Sequence, residues 1–277
     1  MSVERAGPEP RPLSAVVTCF NSAATLGECL DSLMFCDEIV VLDSGSSDAS
    51  REIAAARGAR VIVEPFKGYS AQKQSAIEHA AHDWVLLLDS DEFLGPEAAA
   101  EIRALLQAPA CAGYRLRRRE WLFWRWQAPR SRHNRYLRLF DRRRARMSGH
   151  AVHETVVADG AVGDLNALLW HRGDLTVDAK VAKANRYSTL QAEARAHRRV
   201  RWLRTRMVLY PAFAFLRYWL LRGHWRSGWA GFIAARVHAF YAFQKYAKHY
   251  ALQRAADSPT QAPAEDTAQP RRRPASP

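Results

Sequence analysis

The chain has 277 residues, 48% of them hydrophobic, which is enough for one substantial core with appendages. Lys and Arg total 41 against 28 Asp and Glu, a formal net charge of +13 that implies a polyanionic partner such as nucleic acid, acidic lipid or phosphorylated glycan. The four cysteines (Cys19, Cys29, Cys36, Cys111) form no C-x-x-C pair in so large a chain, which excludes a disulfide scaffold and reads as reduced thiols in a reducing compartment.

Residues 1–12 read as a disordered leader; they contain no apolar run of the kind a secretory signal needs. Residues 13–20 (LSAVVTCF) form a continuous apolar, β-branched run, a buried strand. Asn21 and Ser22 then open a helix over 25–33. Residues 38–42 (EIVVL) are a second buried strand running into DSGSSD, turn chemistry followed by a helix over 49–57 that Gly58 stops. A short strand over 60–63, a helix over 68–81 and a fourth buried strand over 84–88 (WVLLL) complete the series. Four strand–helix alternations with short loops predict a parallel α/β sheet with right-handed crossovers. In such sheets ligands sit outside the carboxyl ends of the strands, where Asp43 and the run from Asp89 to Glu92 both fall.

Beyond Gly95 the rhythm changes to an arginine- and tryptophan-rich stretch with short strand candidates near 114–116, 138–140 and 154–157. Residues 177–252 read as helical, and no Asp or Glu occurs between Glu193 and Asp257. Gly223, Gly228 and Gly231 predict a broken helical hairpin there rather than one rod. The apolar run over 207–221 contains Arg217 and is shorter than the roughly 20 residues a span needs, so no transmembrane helix is predicted. Interleaved arginines and aromatics, among them Trp202, Trp219, Trp225 and Trp229, suit helices lying in a headgroup layer. Residues 256–277 are a Pro/Ala-rich tail without core-forming composition.

In LLLDSDE, Asp89 and Asp91 are separated by one residue at a strand exit, so both carboxylates can turn to one ligand. Their mutual repulsion calls for a compensating cation, and a hard divalent ion (Mg²⁺ or Mn²⁺) shared with diphosphate oxygens matches the ligand types. Such an ion would stabilise a departing nucleoside diphosphate. The segments TCFNSAATLGECLDSL, EIVVLDSGSSDAS and GYSAQKQSAIEHAAHDWVLLLDSDE resemble the nucleotide-sugar-binding half of the family 2 inverting glycosyltransferases of the GT-A fold, more narrowly the branch containing lipopolysaccharide core β-glucosyltransferases. Residues 96–250 match that branch more loosely, through VHE, WHRG and K-x-N-R-Y.

The resemblance implies a Rossmann-like, mainly parallel GT-A domain over 13–176 (donor half 13–95, acceptor half 96–176), followed by a helical, basic and aromatic membrane-interface region over 177–255. It implies that Thr18 and Phe20 contact the nucleoside and that Asp43 binds the base. Lys73 would stand near the base or diphosphate, Asp89 would face ribose and metal, and Asp91 would be the metal ligand proper. The familiar second-strand D-D-G-S is here Asp43-Ser44-Gly45-Ser46, with one acid instead of two. On the acceptor side the resemblance makes Glu154 the base and His153 its orienting group or a metal ligand, since an inverting transfer needs a group to take the acceptor proton. His171 and Arg172 would reach the diphosphate or metal. The implied partners are a nucleotide-sugar donor, UDP-linked, a lipid-linked anionic glycan acceptor and an anionic membrane, which places the enzyme on the cytoplasmic, inner face of the cytoplasmic membrane.

Two other readings were weighed. A zinc site from His150, His153 and His171 lacks the i, i+4 helical spacing and any nearby cysteine. A nucleic-acid-binding protein or metal-dependent nuclease would explain the basic aromatic half. Acidic strand exits, however, repel a phosphate backbone, and the further carboxylates of a two-metal nuclease are missing, so no nucleic acid is expected.

Overall fold

The computed structural model describes residues 9–149, 155–173, 175–196, 198 and 200–257. In chain order the elements are β1 (Leu13–Cys19), α1 (Leu26–Asp31), β2 (Glu38–Asp43), α2 (Ser50–Ala56), β3 (Arg60–Val63), α3 (Tyr69–Glu78), β4 (Trp84–Asp89), β5 (Glu92–Leu94) and α4 (Ala98–Gln107). There follow β6 (Gly113–Leu122), β7 (Arg125–Trp126), β8 (Asn134–Asp141), β9 (Ala145–Met147), β10 (Val156–Ala158) and β11 (Val162–His171). The chain then turns helical: α5 (Val177–Glu193), α6 (Leu203–Leu216), a π-helical turn (Arg217–Leu221), a 3₁₀ turn (His224–Ser227) and α7 (Gly228–Asp257).

The sheet runs β3-β2-β1-β4-β8-β6-β11-β5, with β7 paired to β6. Its donor half is wholly parallel, and β8 enters antiparallel to β4. This is the expected Rossmann-like sheet with a helical C-terminal region. The parallel strands β1, β2 and β4 are buried on both faces, which is why they read as unbroken apolar runs, whereas the edge strand β3 is not. Leu13, Val17, Leu86 and Leu88 point into one core layer with Leu26, Leu30, Ile102 and Leu106 of the helices. Val16, Val40, Val85 and Leu87 point into the other, against Ala76 and Ile77 of α3.

The sheet also curls. Three residues carry the chain from Asp89 at the end of β4 to Glu92 at the start of β5, a reach of about 10 Å. Yet β5 pairs with β11, four strand positions from β4, which along a flat sheet is about 19 Å. The far edge therefore bends back toward β4, and the acid loop closes the curl.

The helix α4, the long strand β11 and the short strands β5, β7 and β9 went unread in the sequence, and the strands near 115 and 138 are longer than expected. The broken hairpin is present: α6 packs along α7, with Gly223 and Gly228 at φ +72° and +60° in the link. A Cβ at Gly231 would lie 1.9 Å from the carbonyl oxygen of His224, so the start of α7 can approach the 3₁₀ turn this closely only without a side chain. Buried alanines of α7 (Ala230, Ala234) seat it on Leu122 and Phe123 at the end of β6. Among the described residues no helix is long and apolar enough to cross a membrane. The four cysteines are free.

Candidate active site

The carboxyl ends of β1, β2 and β4 meet at one edge. Parallel register sets Thr18 beside both Leu42 and Asp89, and Cys19 beside Asp43. The loops leaving these strands are laced together. The Asn21 N–H donates to Ser46 Oγ at 2.8 Å, the Ser47 N–H to Asn21 Oδ1 at 2.8 Å, and the Ser22 and Ser90 hydroxyls lie 2.7 Å apart. Asn21 takes a left-handed conformation to do this (φ +47°), which its short polar side chain tolerates. Phe20 projects from this edge, exposed.

Asp43 is fully buried and shapes its own turn: Oδ1 accepts from the Gly45 and Ser46 N–H groups at 3.1 and 2.9 Å, and Oδ2 from the Ser46 hydroxyl. The single acid of this motif thus holds the loop as well as standing at the site.

Asp89 and Asp91 differ sharply in surroundings. Asp89 receives Lys73 Nζ at 2.7 Å and Arg138 at 2.9 Å, and Arg138 also reaches Glu92 at 2.7 Å. Arg118 bonds the same Glu92 at 3.1 Å. Burial opposes ionisation of Asp89, but the two cations outweigh it and hold the carboxyl far below the ordinary range. Asp91 is partly open, its side chain 34% exposed, and faces His171 Nε2 at 3.2 Å. Burial opposes its ionisation as well, but the hydrogen bond and the positive charge of His171 together outweigh it and lower the pKa. His171 Nδ1 is 2.5 Å from Glu120, which also accepts from Arg118 Nε at 2.9 Å. Burial disfavours the imidazolium, yet carboxylates on both ring nitrogens push its pKa up to about 9, so His171 is a cation at neutral pH.

The expected residues therefore fall into place unevenly. Thr18, Asp43, Lys73, Asp89, Asp91 and His171 converge. Arg172 donates its backbone N–H to the Asp91 carbonyl at 2.8 Å, but its guanidinium turns onto Glu28 of α1 at 2.6 and 3.1 Å. His150, His153 and Glu154 lie outside the described residues. Ser148 and Thr155, which flank that segment, are joined by hydrogen bonds at the end of the β9–β10 pair. Sequence reasoning missed Glu92, Arg118, Glu120 and Arg138. Glu92 stood in plain view beside Asp91; nothing local marked the arginines as buried.

Among the described residues no group of three or more His, Cys, Asp or Glu forms a ready-made metal cage. A hard divalent ion still fits this donor set. Mg²⁺-type sites commonly use one or two carboxylates and complete their shell with substrate phosphates and water. Asp91 offers the open carboxylate for that, with Asp89 beside it.

Residues 14–158 match the family model described as Glycosyl transferase family 2. The chain is 37% identical over 248 residues to the lipopolysaccharide core biosynthesis glycosyltransferase LpsC of Rhizobium meliloti, covering 86% of this chain and 92% of that protein. It is 27% identical to an uncharacterized glycosyltransferase of Rickettsia typhi, covering 86% of each. Among solved structures, glucosyl-3-phosphoglycerate synthase from Mycobacterium tuberculosis, in complex with Mn²⁺, UDP and glucosyl-3-phosphoglycerate, aligns with 26% identity and a TM-score of 0.34, over 40% of this chain and 44% of that one. With a family match over more than half its length and a relative aligned almost end to end, this chain is a glycosyltransferase and belongs to glycosyl transferase family 2.

Proposed function

We propose that the enzyme moves a sugar, with inversion, from a UDP-linked donor to a membrane-associated anionic saccharide of the lipopolysaccharide core. The relationship to LpsC supports the acceptor class. The observation that carries the donor reading is the convergence of Thr18, Asp43, Asp89 and Asp91 at the carboxyl edge of the parallel strands. Thr18 and Phe20 would frame the nucleoside, and Asp43 would present its loop to the base. Lys73 and Arg138 fix Asp89 in its ionised form toward the ribose. Asp91, with Asp89, would hold a Mg²⁺ or Mn²⁺ ion, which neutralises charge on the diphosphate as it leaves. His171, protonated between Asp91 and Glu120, orients Asp91 and adds positive charge on the phosphate side.

The reaction forms one bond from the acceptor oxygen to the anomeric carbon and breaks the bond from that carbon to the diphosphate. The acceptor proton passes to Glu154, the proposed base, with His153 orienting it.

The membrane contact would be α6 and the turn after it. Val208, Leu209, Phe213, Leu220 and Leu221 are exposed together with Trp225 and Trp229, an apolar surface flanked by Arg201, Arg204 and Arg206. A monomer rarely leaves so much contiguous apolar surface without a partner, and the adjoining arginines match an anionic leaflet. With its thiols free, the enzyme would work on the cytoplasmic side.

The decisive measurement is thermal denaturation with UDP and Mn²⁺. Saturating ligand at about 100 Kd adds about 2.7 kcal/mol of stability. A clear rise in Tm is expected for the wild type and none for Asp91→Ala. An equal rise in the variant, or full transfer activity in EDTA, would sink the metal-assisted donor site.

A further inference from the structure

A cavity of about 490 Å³ lies between strands β6, β8 and β11 and the helices α5, α6 and α7. That is the size of a small-ligand pocket, far larger than a packing defect. One end adjoins the acid loop: His171 and Glu120 line it, and His171 faces Asp91 through its other ring nitrogen.

The lining is strongly unbalanced in charge. Arg118, Lys180, Lys183, Arg217, Arg222 and Lys245 all border the cavity, whereas Glu120 is the one carboxylate among its described lining residues. Glu120 is already shared by Arg118 and His171. The excess field is felt inside. His224 and His238 are pushed down to about 4 and about 3, by burial first and then by the neighbouring charges of Arg222 and Lys180. Two buried nitrogens of lining residues, Arg222 Nε and His224 Nδ1, have no hydrogen-bond partner among the described residues. Such an environment is costly for the protein alone and complementary to an oxyanion.

The remaining wall is neither a lipid slot nor a simple phosphate cup. Tyr136, Tyr187, Tyr210, Tyr218 and Tyr241 line it together with the amides of Gln127 and Asn134, although the Tyr136 ring lies under Arg118 and Tyr218 stacks on His238. Aromatic carbon, hydroxyls and amides in one wall suit a polyhydroxylated ring, which needs apolar contact and hydrogen bonds together.

We propose that this cavity is the acceptor subsite and that it takes a hexose carrying an oxyanion, either phosphate or carboxylate. The inference rests on the transferase reading above and adds the place and chemistry of the acceptor. Lys180 and Arg222, whose charges both bear on His224 and His238, hold the charged substituent, and Lys245 adds positive charge from beside the Tyr210 ring. The tyrosines bracket the ring, so that a hydroxyl faces the acid loop at the His171–Glu120 end. Tyr210 and Phe213 line the cavity and also belong to the apolar surface of α6, so a lipid attached to the sugar would leave directly along the membrane-facing helix.

Calorimetric titration of the full chain, without donor or metal, tests this with glucose 6-phosphate, galacturonate, glucose and inorganic phosphate. At least one charged sugar is expected to bind about tenfold or more tighter than both glucose and inorganic phosphate, as charge-assisted contacts imply. Whichever charged sugar binds better identifies the oxyanion. Lys180→Gln combined with Lys245→Gln should erase the preference, and Lys180→Arg with Lys245→Arg should keep it. Three results overturn the proposal: no preference for either charged sugar over glucose, inorganic phosphate binding as tightly as the sugar phosphate, or a folded Gln double variant that still discriminates. A separate titration with UDP and Mn²⁺ reports the donor site alone. Failure there with charged-sugar binding intact counts against the donor reading and leaves the subsite standing, and the converse result does the reverse.

Discussion

Asp89 and Asp91 are one residue apart, yet one is locked between Lys73 and Arg138 while the other keeps an open side. Arg138 has a larger task than its neighbours, because it joins Asp89 to the fully buried Glu92. Removing one partner of a buried ion pair strands charge in a low dielectric, at a cost of about 3–5 kcal/mol. Arg138→Ala should therefore lower the unfolding free energy from urea titration by that amount, with an earlier midpoint and an unchanged slope. A loss below about 1 kcal/mol would mean that Arg118 alone satisfies Glu92. Glu154→Gln isolates chemistry from folding, since the amide keeps the shape but cannot take a proton. Transfer should fall by roughly 10²–10⁴-fold with UDP binding retained. Transfer above about a tenth of wild type would put the base elsewhere, because general bases rarely contribute so little.

Three donor-side strands, β1, β2 and β4, were legible because burial on both faces leaves uninterrupted runs such as AVV and VLLL, and the turns after β2 and β4 carry Asp and Ser. β11 was not legible. Its buried Leu165, Ala167 and Leu169 do alternate with Asp164 and Asn166, but Leu168 and Trp170 on the other face are apolar too and blur the period of two. α4 hid for a different reason: its buried face offers Ile102 and Leu106 amid alanines, too few large residues to announce a periodicity. The charge network was invisible because an Arg-rich strand looks like a surface strand until Glu92 and His171 arrive from other parts of the chain to meet Arg118 and Glu120. The helical hairpin was read correctly from its glycines, and it gives a sharp test. Gly231→Ala forces a methyl onto the His224 carbonyl, so the hairpin must shift at a cost of about 1–3 kcal/mol. Added protease sensitivity confined to the C-terminal helices is the expected signature. An unaltered melting curve and digestion pattern would show that the link is slack.

Across the whole molecule, positive charge and exposed apolar surface share the C-terminal helices, whereas the donor acids sit at the opposite end of the fold's chemistry. Binding to anionic vesicles should fall steeply with salt, since each cation near the leaflet contributes about 1 kcal/mol and is screened. Arg201→Gln, Arg204→Gln and Arg206→Gln together should remove most of that salt-sensitive part. In the membrane contact proposed above the remainder would come from apolar insertion, for which exposure favours some side chains over others. Trp219 packs against Phe215 and Phe232, while Trp229 is 74% exposed. Leu221→Ser with Trp229→Ser should thus abolish the binding that survives high salt. Co-sedimentation that does not occur even at low ionic strength would show that these helices serve another surface.

The curl of the sheet sets an order on biosynthesis. The acid loop is made early, but β5, which anchors one end of it, pairs only with β11, and β11 ends in the histidine that faces Asp91. A nascent chain that has released its whole donor half still lacks the strand that fixes the loop and the cation that orients its open carboxylate. The proposed donor centre therefore stays unfinished until His171 has been made, and a chain interrupted before that point would carry the donor-side strands without the strand that anchors the acid loop.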